Sequence, residues 1–124
     1  MRFINTPEAP LPIGAYAQAT AYNGTIYVSG QLPITPTGEL AEGIRAQTKQ
    51  SLENILAILR SQGADKQSIL KVQVFTTNLA AFAEINEEYQ QFFGDHTPAR
   101  AVVEVSALPK GALVEIDTIA IDGE

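Results

Sequence analysis

The sequence predicts an α+β domain, a mixed sheet of five to six strands with two helices on one face. Three observations carry that prediction. Residues 43–62 and about 80–93 repeat apolar side chains at three- and four-residue spacing, as one-sided helices do. Several shorter runs are rich in β-branched and aromatic residues and read as strands. Between two of those runs stands Asn23-Gly24, the pair that a tight hairpin turn prefers. At 124 residues and 45% hydrophobic content, residues 1–124 make a single domain with its own core.

Residues 1–15 hold three prolines and little periodicity, so they form an arm or a short edge strand. In YAQATAY-NG-TIYVSGQ a two-residue type I′ turn fixes the register: Tyr22 pairs with Thr25, Thr20 with Tyr27, Gln18 with Ser29 and Tyr16 with Gln31. That register gathers Tyr16, Gln18, Ser29 and Gln31 on one face at the open end of the hairpin. Pro33, Pro36 and Gly38 then mark a loop. In the first helix Ile44, Leu52, Ile55, Leu56 and Leu59 line the buried stripe, Arg45, Lys49, Glu53 and Arg60 face solvent, and Gly63 closes it. Residues 69–77 alternate as a strand. The second helix buries Phe82, Ile85, Tyr89, Phe92 and Phe93, and Asn86 falls on that stripe, where its amide needs partners. Strands at about 99–106 and 113–121 finish the chain, and Leu108-Pro109-Lys110-Gly111 between them reads as a hairpin link. Two helices cover only one face of such a sheet. The other face keeps apolar residues and calls for a homo-oligomer.

Composition excludes several classes. There is no cysteine, so disulfides, thiolate metal sites and cysteine nucleophiles are ruled out. The net charge is −6, with Lys and Arg thinly spread, which speaks against nucleic-acid binding. No phosphate-binding glycine loop or metal-binding histidine spacing occurs, and the single histidine, His96, reads as a surface residue. Without an apolar run of membrane-spanning length or a signal-peptide core, the expectation is a cytoplasmic protein with no membrane contact.

The chemistry concentrates in residues 97–121. Arg100 at a strand mouth offers a planar fork for a carboxylate. Glu115, a carboxylate in a largely apolar strand, must be satisfied, and its proton affinity is easily shifted. Such residues are most often solvated charges; together they suggest a small site that holds an anionic substrate and handles a water or a proton. Ser29 lacks a nucleophile elbow and a nearby base, so it is not read as a nucleophile.

The segments IGAYAQA, YVSGQLP, QTKQSLENILAIL, INEEYQQFF and PARAVVEVSALPKGALVEIDTIAI, collinear over nearly the whole chain, resemble the reactive-intermediate deaminase (Rid, YjgF-like) family. The resemblance implies a chorismate-mutase-like fold assembled as a homotrimer with clefts between subunits. It implies hydrolysis of enamines and imines, such as 2-aminoacrylate and 2-aminocrotonate, to 2-keto acids and ammonia, which protects pyridoxal-phosphate enzymes. No cofactor or metal is expected. Matched position by position, the carboxylate-binding arginine is Arg100 and the water-orienting glutamate Glu115. Tyr16, Ser29, Gly30, Gln31 and the helix residue Asn86 line the pocket. The final strand is expected to insert between the third and fourth rather than to form a hairpin. Three departures bear on specificity: Val102 stands where many members have cysteine, Ala15 replaces the proline of IGPY, and the loop GDHTPAR before Arg100 is short. A non-catalytic module that binds 2-ketobutyrate-like carboxylates is the rival reading. Ribonuclease activity fits poorly with an acidic chain.

Overall fold

A computed structural model describes residues 1–123. Strands β1 (Arg2–Ile4), β2 (Ala19–Tyr22) and β3 (Thr25–Gln31) form a meander. Helix α1 (Ile44–Arg60) leads to β4 (Ile69–Thr76), and helix α2 (Phe82–Phe93) leads to β5 (Ala99–Glu104). Strand β6 (Val114–Ile121) ends the fold. All six strands join one mixed sheet in the order β1-β2-β3-β6-β4-β5.

The expected hairpin between the last two strands does not form. Strand β5 runs parallel to β4 at the sheet edge, and β6 lies antiparallel between β3 and β4. The reason is the crossovers. Helix α1 returns the chain parallel to β3 but leaves a strand-wide gap, while α2 lays β5 directly beside β4. Only the gap offers β6 two hydrogen-bonding neighbours. Residues 105–113 cross the end of β4 to reach it, and Leu113 O accepts from both Thr76 Oγ1 and the Thr77 amide.

The Asn23-Gly24 turn is as the sequence predicts, with φ of 52° and 79°. Its register holds from Tyr22↔Thr25 through Ala19↔Val28, and the Ser29 amide still donates to Gln18 O. Beyond that the expected pairing of Tyr16 with Gln31 fails. An irregularity between Val28 and Gln31 turns Gln31 to the buried side, opposite Ile116 of β6, and the Tyr16 amide instead donates to Gly14 O. The four polar residues therefore do not share one face.

Alternation along the central strands separates two faces. Val28, Val72, Val74, Val114, Ile116, Thr118 and Ala120 are buried against the helices. From α1 they meet Leu52, Ile55, Ile58 and Leu59, and from α2 Ile85, Tyr89 and Phe93. Leu56, expected on the buried stripe, is only half-buried; Ile58 takes that place. The α1 charges face solvent as expected, and Arg45 pairs with Glu87 and Glu88 of α2. Gly63, at φ 77°, closes α1: its amide and that of Ala64 bond the Arg60 and Leu59 carbonyls. The opposite face of the sheet carries Phe3, Tyr22, Tyr27 and Ile121, all well exposed. His96 is half-buried, its Nε2 2.9 Å from Ile69 O. Among the described residues, no helix is long and apolar enough to cross a membrane.

Gln18, fully buried, is a structural tie. Its Oε1 accepts from the Thr6 amide at 2.7 Å, and its Nε2 donates to Thr6 O, Ala9 O and Pro10 O. Replacing it orphans several buried backbone groups at once, each costing roughly 1–3 kcal/mol if water does not replace the lost partner. Gln18→Ala is therefore expected to loosen the arm over residues 6–10. Amide hydrogen exchange checks this: Thr6 N–H should lose its protection while amides of β4 and β6 keep theirs.

Candidate active site

The expected site residues fall into two groups. The first surrounds Glu115. Glu115 stands opposite Phe75 on β4, on the sheet face away from the helices. Beside it the strand irregularity brings Gly30 so close that a Cβ there would meet Glu115 Oε2 at 2.6 Å. The missing side chain is what lets the carboxylate lie against the β3 backbone. Tyr16, Ser29, Gly30 and Glu115 share one open hollow with Ile13, Leu32 and Pro109. Ser29 Oγ donates to Ala17 O at 2.7 Å, and the Tyr16 hydroxyl oxygen accepts from the Ile13 amide at 3.3 Å. Gln31 does not line this hollow but lines a smaller adjoining cavity with Tyr16, Gly30 and Leu32. Buried on the other side, its Nε2 donates to Ser29 O at 3.2 Å and steadies the bend that presents Ser29 and Gly30.

The second group surrounds Arg100. Strand β5 pairs in parallel with β4, Arg100 beside Val72 and Val102 beside Val74, so both side chains project on the helix side of the sheet. Val102 packs against the core. Arg100 reaches α2, where Nη1 donates to Asn86 Oδ1 at 2.8 Å and the guanidinium carbon lies 4.6 Å from the Tyr89 ring centre and 5.5 Å from that of Phe82. Among the described residues no carboxylate comes within ion-pairing distance of Arg100.

Arg100 and Glu115 are thus not brought together within one chain: they occupy opposite faces of the sheet, with β4 between their strands. Residues overlooked in the sequence are Asp117, two positions along β6 from Glu115 on the same face, and Phe82 and Tyr89, read there only as core. Strand parity gives Asp117. The 82/86/89 spacing around Asn86 is the signal for the aromatic pair.

The Glu115 carboxyl is half-buried and has no hydrogen-bond partner among the described residues. Burial pushes its pKa upward, and the Asp117 charge adds to the rise. Asp117 is raised in turn by burial, with Lys71 opposing. A carboxylate with raised proton affinity suits proton transfer nearer neutrality. Among the described residues no cluster of His, Asp or Glu could hold a metal ion.

The sequence profile of the Endoribonuclease L-PSP family matches residues 6–122. The chain belongs to that family, which is the YjgF/RidA family. A RutC family protein of Pyrococcus abyssi is 49% identical over 119 residues, 94% of each chain. The 2-iminobutanoate/2-iminopropanoate deaminase of Capra hircus is 43% identical over 98% of this chain and 90% of its own. Among solved structures, RidA from the Antarctic bacterium Psychrobacter sp. PAMC 21119 superposes with a TM-score of 0.95 at 43% identity, covering 98% of this chain and 99% of that one. E. coli TdcF, crystallised with bound serine, gives 0.94 at 41% identity, with 98% of each chain covered. The YjgF/RidA fold implied by the sequence segments is the fold observed.

For Glu115, a 13C-detected carboxyl titration is expected to give a midpoint above the ordinary glutamate range. Asp117→Asn should lower that midpoint, because it removes the second cause of the rise. Since the folded chain binds this proton more tightly than the unfolded chain, the group subtracts stability as pH climbs from the ordinary value to the raised one.

Proposed function

We propose that the protein hydrolyses 2-imino acids and their enamine tautomers, of the 2-iminopropanoate and 2-iminobutanoate kind, to 2-keto acids and ammonia. The site would lie in clefts between the copies of a homotrimer, in the cytoplasm beside the enzymes that release such intermediates. The observation that carries this reading is the split itself. Among its described residues, each chain has an unneutralised guanidinium on one sheet face and an unpartnered, half-buried carboxylate on the other. A head-to-tail ring unites the Arg100 group of one copy with the Glu115 group of the next, and it covers the exposed apolar face of the sheet. Curated relatives at 41–43% identity are named 2-iminobutanoate/2-iminopropanoate deaminases, which supports the substrate class.

Arg100 grips the substrate carboxylate through two parallel N–H···O bonds and fixes the imine carbon in the cleft. An enamine first takes a proton at carbon and becomes the imine. Glu115 accepts a proton from water as its oxygen bonds the imine carbon. Glu115 returns that proton to nitrogen, giving the neutral carbinolamine. The adduct's hydroxyl proton then passes by way of Glu115 to the amine as the C–N bond breaks, so that the C=O of the keto acid and free ammonia form together. Acid–base help of about 10²–10⁴-fold suffices for imines that already hydrolyse in water. Ser29, Gly30 and Tyr16 shape the cleft around this carbon, and Val102 and Asn86 lie on the Arg100 side.

The rival reading, a carboxylate-binding module without turnover, draws on the serine seen in E. coli TdcF. Against it stands Glu115, since a second anion weakens a site built only to bind anions. RNA cleavage, which the family's description names, is opposed by the net charge of −6 and by a lone histidine tied to a backbone carbonyl.

In a coupled assay with a threonine dehydratase, the wild type is expected to accelerate keto-acid formation; binding without acceleration would favour the rival. Arg100→Ala should abolish the activity while the oligomer persists, and Glu115→Gln should lower kcat more than it raises KM. Gly30→Ala should fold, because the clashing atom is the end of a flexible side chain, yet lose turnover as Glu115 is pushed aside. Equal amounts of the Arg100→Ala and Glu115→Gln chains, unfolded and refolded together, should regain about a quarter of wild-type activity. That is the random share of clefts that receive an intact residue from each neighbour. A site contained within one chain would regain none.

A further inference from the structure

We infer that Phe82 and Tyr89 form an aromatic shelf that orients the Arg100 guanidinium for a ligand carboxylate without neutralising it, which makes both of them positioning residues. The inference rests on the reading above that Arg100 receives the substrate carboxylate.

Phe82, Asn86 and Tyr89 recur at four- and three-residue spacing, so they share one stripe of α2. The parallel register of β4 and β5 aims Arg100 at that stripe. Both ring centres lie within the range of a cation–π contact, at 4.6 Å for Tyr89 and 5.5 Å for Phe82. Asn86 holds a single guanidinium nitrogen, Nη1. The nearby acids are engaged elsewhere: Glu87 and Glu88 pair with Arg45, and Glu104 Oε1 accepts from the Leu79 amide.

That allocation has a chemical consequence. An arginine is usually aimed by a carboxylate, but a carboxylate would occupy the same fork a ligand needs. Ring faces and a neutral amide oxygen fix the plane of the guanidinium and leave its charge uncompensated. Core packing alone does not account for the pair. Phe82 remains 38% exposed at the rim of the helix, beside the guanidinium rather than in the core. Tyr89 is buried, and its hydroxyl has no hydrogen-bond partner among the described residues. What Tyr89 gives Arg100 is therefore its ring face.

The test measures binding of pyruvate, a 2-keto acid product of the proposed reaction, and of neutral pyruvamide, by NMR titration of the intact oligomer. Tyr89→Leu is expected to weaken pyruvate binding roughly two- to thirty-fold and to leave pyruvamide binding unchanged. Tyr89→Phe, which keeps the ring, should restore it. Phe82→Leu should shift pyruvate in the same direction by less; sitting at the rim, it carries the test if Tyr89→Leu fails to fold. Equal weakening of both ligands would mean a merely structural role and would overturn the inference. So would pyruvate binding that is unchanged in Tyr89→Leu and Phe82→Leu but lost in Arg100→Ala, or a loss in Tyr89→Phe as large as in Tyr89→Leu. If pyruvate binding survives Arg100→Ala in full, the carboxylate reading of Arg100 itself fails, and the shelf with it.

Discussion

Strand parity governs this molecule. Side chains alternate across a pleated sheet, so the pairing of β4 with β5 and with β6 decides which face each residue sees. Val72 beside Arg100 and Phe75 beside Glu115 are opposite choices. A one-residue slip in either pairing would invert that side chain and bury a charge against the helices or lift it out to solvent. The register is secured by the apolar set, because Val72, Val74, Val114 and Ile116 have no other place to be buried. The hydrophobic core thereby fixes where the two charged groups stand, and it fixes them apart.

Much of this was legible in the residues. Both helices, the Asn23-Gly24 turn and the strand content follow from local periodicity and turn chemistry, which depend on neighbours in the chain. Strand order does not. The order β3-β6-β4 arises because a crossover helix leaves a gap, a fact about handed connections rather than about Leu108 to Gly111. Local reading accordingly supplied a hairpin, and only resemblance to a family supplied the insertion. The open end of the first hairpin failed for a related reason. The bend at Ser29 and Gly30 lays the β3 backbone against Glu115 of another strand, and the local hint of it in YVSGQ is the glycine alone.

The candidate site was legible as a set of residues but not as an arrangement. Arg100 and Glu115 were picked out as interruptions in apolar text, Tyr16 by hairpin register, and Gly30 by family resemblance. Their separation into two groups needs the register. Gln18 and Gln31 illustrate the error in the other direction: polar residues near a suspected site are often spent on the backbone. Gln18 ties the arm, Gln31 supports the bend, and Asn54 of α1, which attracted no notice, bonds the Leu32 and Ile34 carbonyls. A buried amide is a good adhesive for irregular chain, because it offers donors and an acceptor together.

Strand β5 has a hydrogen-bonded neighbour on one side only, so Ala99–Glu104 presents an open edge. Exposed edges recruit foreign strands, and proteins guard them with proline and charge. Here Pro98 precedes the strand, and Arg100 and Glu104 are the charges along it. Arg100, the residue proposed to hold the substrate carboxylate, is therefore also a charge that guards this open edge, so neutralising it is expected to lower solubility as well as affinity.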